Sequence, residues 1–221
     1  MKLFLDSANT EEIRHALKVW DLNGITTNPK HVFTSGKSFK GVIREIADIL
    51  SDTDKPISVE VNPHLTDHDQ IVEQARELAA ISPQFVIKIG MSEPGCAAIR
   101  TLSGDGIRVN ATLIFSVAQA WHAARAGAAY VSPFLGWREA HGDPGISLIR
   151  GVREMLDAGG YDAEIIASAI RNGWQIGEAA RAGADCVTAG FAVYQDSFRS
   201  PYSTMGERIF QEAWDKTHAG A

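Results

Sequence analysis

Eight short apolar runs, each followed by a segment of helical periodicity, alternate along the whole 221-residue chain. The runs fall at 2–6, 24–28, 57–61, 85–89, 107–113, 130–135, 164–170 and 185–189, and Gly, Pro, Asn or Asp bounds most of them. Apolar residues recur at helical spacing in 10–20, 38–50, 67–80, 95–102, 116–126, 146–158 and 173–182, and a short helix begins near Phe191. Strand and helix in regular alternation, with short connections, predict parallel strands covered by helices. Eight such units predict a sheet closed on itself, a (β/α)8 or TIM barrel. An open doubly wound sheet is the rival. It is disfavoured because Ser7-Ala8-Asn9-Thr10-Glu11-Glu12, a capping sequence, follows the first run where a Gly-rich fingerprint would stand. The segment 136–145 reads as a Gly- and Pro-bearing loop, and 204–216 as an extra amphipathic C-terminal helix. With no linker or low-complexity tract, 1–221 is expected to be a single barrel domain.

The net charge is −6, with no basic run and no aromatic–basic interleaving, so nucleic acid is not an expected partner. No apolar stretch approaches the roughly 18–20 residues of a membrane span. The opening Met1-Lys2-Leu3-Phe4-Leu5-Asp6 lacks the plan of a signal peptide, and a cytoplasmic location is expected. Cys96 and Cys186 have no metal-ligand spacing and are expected to be buried, reduced thiols. The seven histidines show no His-x-x-x-His pairing, so no metal site is expected.

One run carries a chemical signal. Phe85-Val86-Ile87-Lys88-Ile89-Gly90 sets an ammonium inside an apolar strand. Burial costs free energy unless the charge is paired or lost, and desolvation favours the neutral amine. A neutral lysine is a nucleophile for a carbonyl substrate, whereas a snorkelling or carboxylate-paired lysine is merely structural; the hexapeptide alone leaves both open. Its neighbours matter more. Asp6, Thr27 and Asn28, Glu60, Lys88, Asn110 and Thr112, Ser132, and Ser168 with Arg171 fall at or near the ends of seven successive strands. In a barrel those ends converge on the face where catalytic groups sit. Two carboxylates and an amine there suit proton transfer around an imine.

The motifs Ile25-Thr26-Thr27-Asn28-Pro29, Val59-Glu60-Val61, Val86-Ile87-Lys88-Ile89, Val109-Asn110-Ala111-Thr112-Leu113-Ile114-Phe115-Ser116 and Ser132-Pro133-Phe134-Leu135-Gly136 occur in this order. In them the chain resembles the small transaldolase and fructose-6-phosphate aldolase family over essentially its whole length. The resemblance implies a class I, Schiff-base enzyme without metal or organic cofactor, acting on a sugar or sugar-phosphate-like ketose. By the same resemblance Lys88 would form the imine, Glu60 would act with a bound water as acid and base, and Asp6 would handle the hydroxyl proton at the breaking bond. Asn28, Asn110 and Ser132 would bind hydroxyls of a dihydroxyacetone unit, with Thr27 beside them, and Thr112 would help hold the water. Glu60 and Phe134 resemble the transaldolase branch; the free aldolases carry Gln and Tyr there. The family is oligomeric, and the terminal helix, with Phe210 and Trp214, suits packing on a second subunit or on its own barrel.

Two departures fall at the substrate's far end. Trp137 stands where the family has a phosphate-binding arginine, with Arg138 next to it. In Ala167-Ser168-Ala169-Ile170-Arg171 the serine lies one place early relative to Arg171, which on a regular strand turns Ser168 to the opposite face. Losing a guanidinium removes a bidentate phosphate contact. The expected tail is therefore a sulfonate, a carboxylate or a neutral group, unless Arg138 restores phosphate binding. Lys30-His31 also departs from the family pattern, Lys30 being either a second anion contact or a solvated surface residue. A free aldolase, or a non-catalytic sugar-binding barrel, are the alternatives; binding alone does not need Lys88, Glu60 and Asp6 together.

Overall fold

The computed structural model describes residues 1–217. Eight parallel strands pair in sequence order and close into a barrel. They are β1 (Lys2–Asp6), β2 (Gly24–Thr26), β3 (Ile57–Glu60), β4 (Phe85–Gly90), β5 (Val109–Ile114), β6 (Tyr130–Pro133), β7 (Glu164–Ile170) and β8 (Cys186–Ala189). The helices, in chain order, are α1 (Thr10–Val19), α2 (Pro29–Thr34), α3 (Phe39–Ile49), α4 (His68–Ala79), α5 (Glu93–Gly104), α6 (Val117–Arg125), α7 (Leu135–Glu139), α8 (Gly145–Gly159), α9 (Gly173–Arg181), α10 (Phe191–Ser197) and α11 (Pro201–Trp214). No helix among the described residues is long and apolar enough to cross a membrane.

Strand side chains alternate between two surroundings. One set, including Leu5, Ile25, Ile57, Val59, Ile87 and Val187, merges with the helices into the main core. The other set points into the barrel. There Phe4, Val86, Tyr130, Ile166 and Cys186 form a small separate cluster, with the edge of one ring of Phe4 and Tyr130 against the other at 6.2 Å. Two residues further along each strand the interior turns polar: Asp6 after Phe4, Lys88 after Val86, Ser132 after Tyr130, Ser168 after Ile166, Thr188 after Cys186. An apolar floor thus closes one end of the lumen and leaves a polar mouth at the strands' C-terminal ends.

Local chemistry sets most helix starts. Asn9, Ser38, Asp67, Ser92, Ser116 and Asn172 each accept a backbone N–H in the first turn of the following helix. Ser92 starts α5 two residues earlier than the apolar period suggests, because Pro94 lies in a first turn that needs no N–H from it. Two helices interrupt expected strand or loop. β2 ends at Thr26, and Asn28 caps α2, with Pro29 in its first turn. β6 ends at Pro133, and α7 occupies the segment expected to be a loop. The C-terminal helix runs three residues earlier than expected, starting behind the Ser200 cap. None of its residues is buried, and Tyr202, Met205, Ile209, Phe210 and Trp214 lie exposed, the first three on one stripe and Phe210 and Trp214, four apart, on an adjoining one. Cys186 is buried as expected, whereas Cys96 is only half-buried; both are free thiols.

Candidate active site

A cavity of about 510 Å³ opens at the polar mouth, lined among others by Asp6, Asn28, Glu60, Lys88, Thr112 and Ser132. The register places Glu60 of β3 directly beside Lys88 of β4. Lys88 is 6 % exposed, so it does not snorkel to solvent. Its Nζ lies 3.2 Å from Glu60 Oε2 and donates to the Thr27 carbonyl at 3.1 Å. Burial of the amine is thus offset by a carboxylate and a backbone dipole, while the nitrogen stays on the cavity wall. Glu60 can take a proton from it, which frees the lone pair an imine requires.

Asp6 faces the same cavity with both oxygens engaged. Thr26 Oγ1 donates to Oδ1 at 2.8 Å, and His31 Nε2 lies 3.1 Å from Oδ2. Burial pushes this carboxyl up, but the hydrogen bond and charge of His31, the charge of Lys88 and the Thr26 hydroxyl outweigh it, and its pKa falls below the ordinary 3.8. Asp6 is therefore an anion at neutral pH, ready to accept a hydroxyl proton. Deeper down, Asn110 is fully covered: its Nδ2 donates to Ser58 Oγ at 3.1 Å, and its Oδ1 accepts from Ser132 Oγ at 2.7 Å. Asn110 thus orients Ser132 from beneath rather than lining the cavity itself. Thr112 Oγ1 is buried and has no hydrogen-bond partner among the described residues. A buried orphan hydroxyl on a cavity wall is an unmet cost that a water or substrate oxygen would relieve.

The other half of the mouth is built differently. Phe134 pairs with Ser168 through a single isolated bridge. The Phe134 and Trp137 rings meet at 5.4 Å and 89°, with Phe115 behind them at 5.6 and 6.0 Å. Ser168 corrects the sequence expectation, for it lines the cavity instead of facing away. Ser168 stays in phase with Ile166, and a bulge after it absorbs the offset from Arg171: the β7–β8 register slips between Ala167 and Ile170, and Ala169 takes φ +59°. A Cβ at Gly136 would run into the Ala169 carbonyl oxygen, so the glycine lets α7 lie against the bulge. Arg171 and Lys30 also line the cavity, and neither side chain is hydrogen-bonded or ion-paired among the described residues.

Besides Asn110, two expected site residues are not brought to the cavity wall. Thr27 sends both its N–H and its hydroxyl to the Ser58 carbonyl, because the chain turns into α2 at that point. Thr26, one residue earlier and in phase with the lumen, takes the place at the wall. Arg138 does not line the cavity. One helical step of about 100° separates it from Trp137 on α7, and it points toward Asp143 at 3.8 Å. It therefore leaves the missing arginine unreplaced. The residues not foreseen are Thr26, Thr188 and His31. The two threonines were legible from the alternation, each two positions beyond a floor-level residue; His31 depends on α2, which the sequence pattern did not reveal.

The profile of the transaldolase/fructose-6-phosphate aldolase family matches residues 3–219. The chain is 46% identical over 218 residues to a 6-deoxy-6-sulfo-D-fructose transaldolase of Priestia aryabhattai, covering 98% of this chain and 96% of that one. It is 44% identical over 211 residues to a probable transaldolase of Agathobacter rectalis, covering 96% of each. Among solved structures, a thiamine phosphate pyrophosphorylase of Pyrococcus furiosus superposes with a TM-score of 0.63 over 89% of each chain. At 16% identity, that likeness concerns the barrel alone.

Proposed function

The chain belongs to the transaldolase/fructose-6-phosphate aldolase family, and from that premise we propose a Schiff-base transaldolase that moves a dihydroxyacetone unit from a ketose with a sulfonate tail to an aldehyde acceptor. The observation that carries the chemistry is the 3.2 Å contact of Lys88 Nζ with Glu60 in the cavity that also holds the Asp6 anion. Lys88 adds to the ketone carbon. Glu60, with a water at the Thr112 hydroxyl, moves the protons that turn the carbinolamine oxygen into departing water. Asp6 then takes the proton of the hydroxyl at the breaking bond. The O–H electrons close the new C=O, and the C–C pair flows into the iminium, leaving a neutral enamine on Lys88. The acceptor aldehyde adds to that enamine, its oxygen takes the proton back from Asp6, and water releases the product ketose. Asn28 and the Ser132 hydroxyl supply partners for the hydroxyls of the retained unit.

The tail assignment rests on Trp137. A phosphate monoester carries about −1.5 to −2 charge at neutral pH and favours paired guanidinium forks. A sulfonate carries a single charge. Arg171, assisted by Lys30 and an aromatic wall, matches the smaller charge, and the Priestia relative is named for a sulfo-sugar. The test compares kcat/KM on 6-deoxy-6-sulfofructose, fructose 6-phosphate and fructose with one acceptor, alongside borohydride trapping. The expected result is a preference for the sulfo-sugar and an adduct on Lys88. A clear phosphate preference overturns the tail; no adduct with any ketose overturns the enzyme in favour of a binding barrel. Dihydroxyacetone accumulating without acceptor would make it a free aldolase. We also infer a homo-oligomer from the exposed apolar residues of α11: sedimentation should show a mass above the 23.9 kDa chain, and Phe210→Glu should lower it.

A further inference from the structure

His31 is unused by the chemistry above, yet it touches one of its central groups. It is carried by α2, and Asn28, itself on the cavity wall, fixes its backbone by accepting from the His31 N–H at 3.1 Å. Its ring reaches Asp6 Oδ2, and both side chains are about three-quarters covered, at 28% and 24% exposure. The same ring also borders a second cavity of about 430 Å³, so the pair forms a partition between the mouth and its neighbour. On the other Asp6 oxygen, Thr188 Oγ1 stands 2.6 Å from Thr26 Oγ1, whose own hydrogen goes to Asp6. Thr188, Thr26 and Asp6 thus make a chain of neutral donors ending on the carboxylate.

We propose that His31 is a positioning residue for Asp6: its Nε2–H keeps the carboxyl oriented through the cycle and favours its anion until the hydroxyl proton is taken. The inference rests on the role proposed for Asp6. The groups around that carboxylate leave His31 a distinct task. Lys88 approaches from β4 with Glu60 beside it on β3; Lys30 shares α2; Thr26 and Thr188 are neutral. Tyr194, on α10, is kept protonated chiefly by burial and gives its hydroxyl to the carbonyls of Phe4 and Val187. Glu12 and Lys37 line the neighbouring cavity on the far side of His31. Lys88 is positive as an ammonium or an iminium but neutral as the attacking amine and as the enamine. Its help to Asp6 therefore comes and goes within one turnover, whereas an imidazole N–H on Oδ2 persists.

The test uses the full chain with His31→Leu and His31→Gln, melting curves serving as the check on folding. In His31→Leu, kcat should fall about 10- to 100-fold, a share of the roughly 10²–10⁴-fold that a positioned base contributes, while KM changes little. Asp6 must be ionised to accept the hydroxyl proton. Removing its donor raises its pKa, so the acid limb of kcat/KM moves to higher pH. His31→Gln offers a neutral amide N–H and should recover part of kcat while leaving the limb displaced. Adduct trapping on Lys88 should persist in both. A carbon-13 titration of the Asp6 carboxyl, free of any turnover, should show a higher pKa in His31→Leu than in the parent. An unmoved Asp6 titration overturns the inference, as does loss of kcat with an unmoved acid limb. Absence of the adduct in the parent protein instead strikes the proposed function, and the titration still decides the role of His31.

Discussion

Asp6, Glu60 and Lys88 are each carried by a regularly paired strand, whereas Phe134, Trp137, Ser168 and Arg171 are carried by what interrupts or follows the strands. The first group is locked by neighbouring ladders, with Glu60 set against Lys88 and Lys88 against Asn110. The second depends on a one-residue bulge, one isolated bridge and a five-residue helix. The imine demands reacting atoms held closely in place, and continuous backbone pairing supplies that. The tail of the substrate needs only a fitting charge and shape. An end built from bulge and short helix can change those without disturbing the barrel.

If this division is real, substitutions at the two ends should separate in kinetics. The largest effect belongs to Glu60→Gln. It keeps the shape but cannot take a proton, so kcat should drop by about 10²–10⁴-fold with KM nearly unchanged. A rise in KM with kcat intact would show Glu60 to be a binding group and erase the contrast. Arg171→Met should do the converse. Loss of a charge-assisted contact of about 1.5–3 kcal/mol raises KM for a sulfonated ketose roughly 10- to 100-fold and spares kcat. The same variant should leave fructose unaffected, and an equal loss on fructose would place Arg171 in the chemistry.

The two ends also differed in how far the sequence revealed them. The alternation of apolar and polar residues is enough to send Asp6, Lys88 and Ser132 into the lumen once eight strands are recognised. By the same rule Thr26 was available and Thr27 should have been set aside. At the other end, counting by twos holds from Ile166 to Ser168 but fails between Ser168 and Arg171. Counted back from Arg171, Ser168 reads as a side chain turned outward; the left-handed Ala169 absorbs the extra residue between them, and nothing in Ala-Ser-Ala-Ile announces a bulge, since alanine rarely takes positive φ. Arg138 and Trp137 are adjacent in sequence, and only α7 separates their directions. His31 was hidden for a related reason: Pro29 signals the end of a strand as readily as the first turn of a helix.

Ala169→Gly sharpens the contrast with the smallest change, one that adds no atom and removes no polar contact. A left-handed alanine costs roughly 1–2 kcal/mol, while glycine in the unfolded chain gives back about 0.5–1 kcal/mol of that relief. The net expectation is a stabilisation of about 0.5–1 kcal/mol, read as a rise of roughly 1–4 °C in Tm for a chain of this length. The same freedom loosens the hinge between Ser168 and Arg171, so KM for the sulfonated ketose should rise a few-fold as the protein becomes more stable. Glu60 and Lys88, two strands and more away around the barrel, should keep their kcat. A variant less stable than its parent would mean the Ala169 methyl group packs rather than strains. A fall in kcat would mean that the bulge constrains the reacting end too, and that the two halves of the mouth move as one.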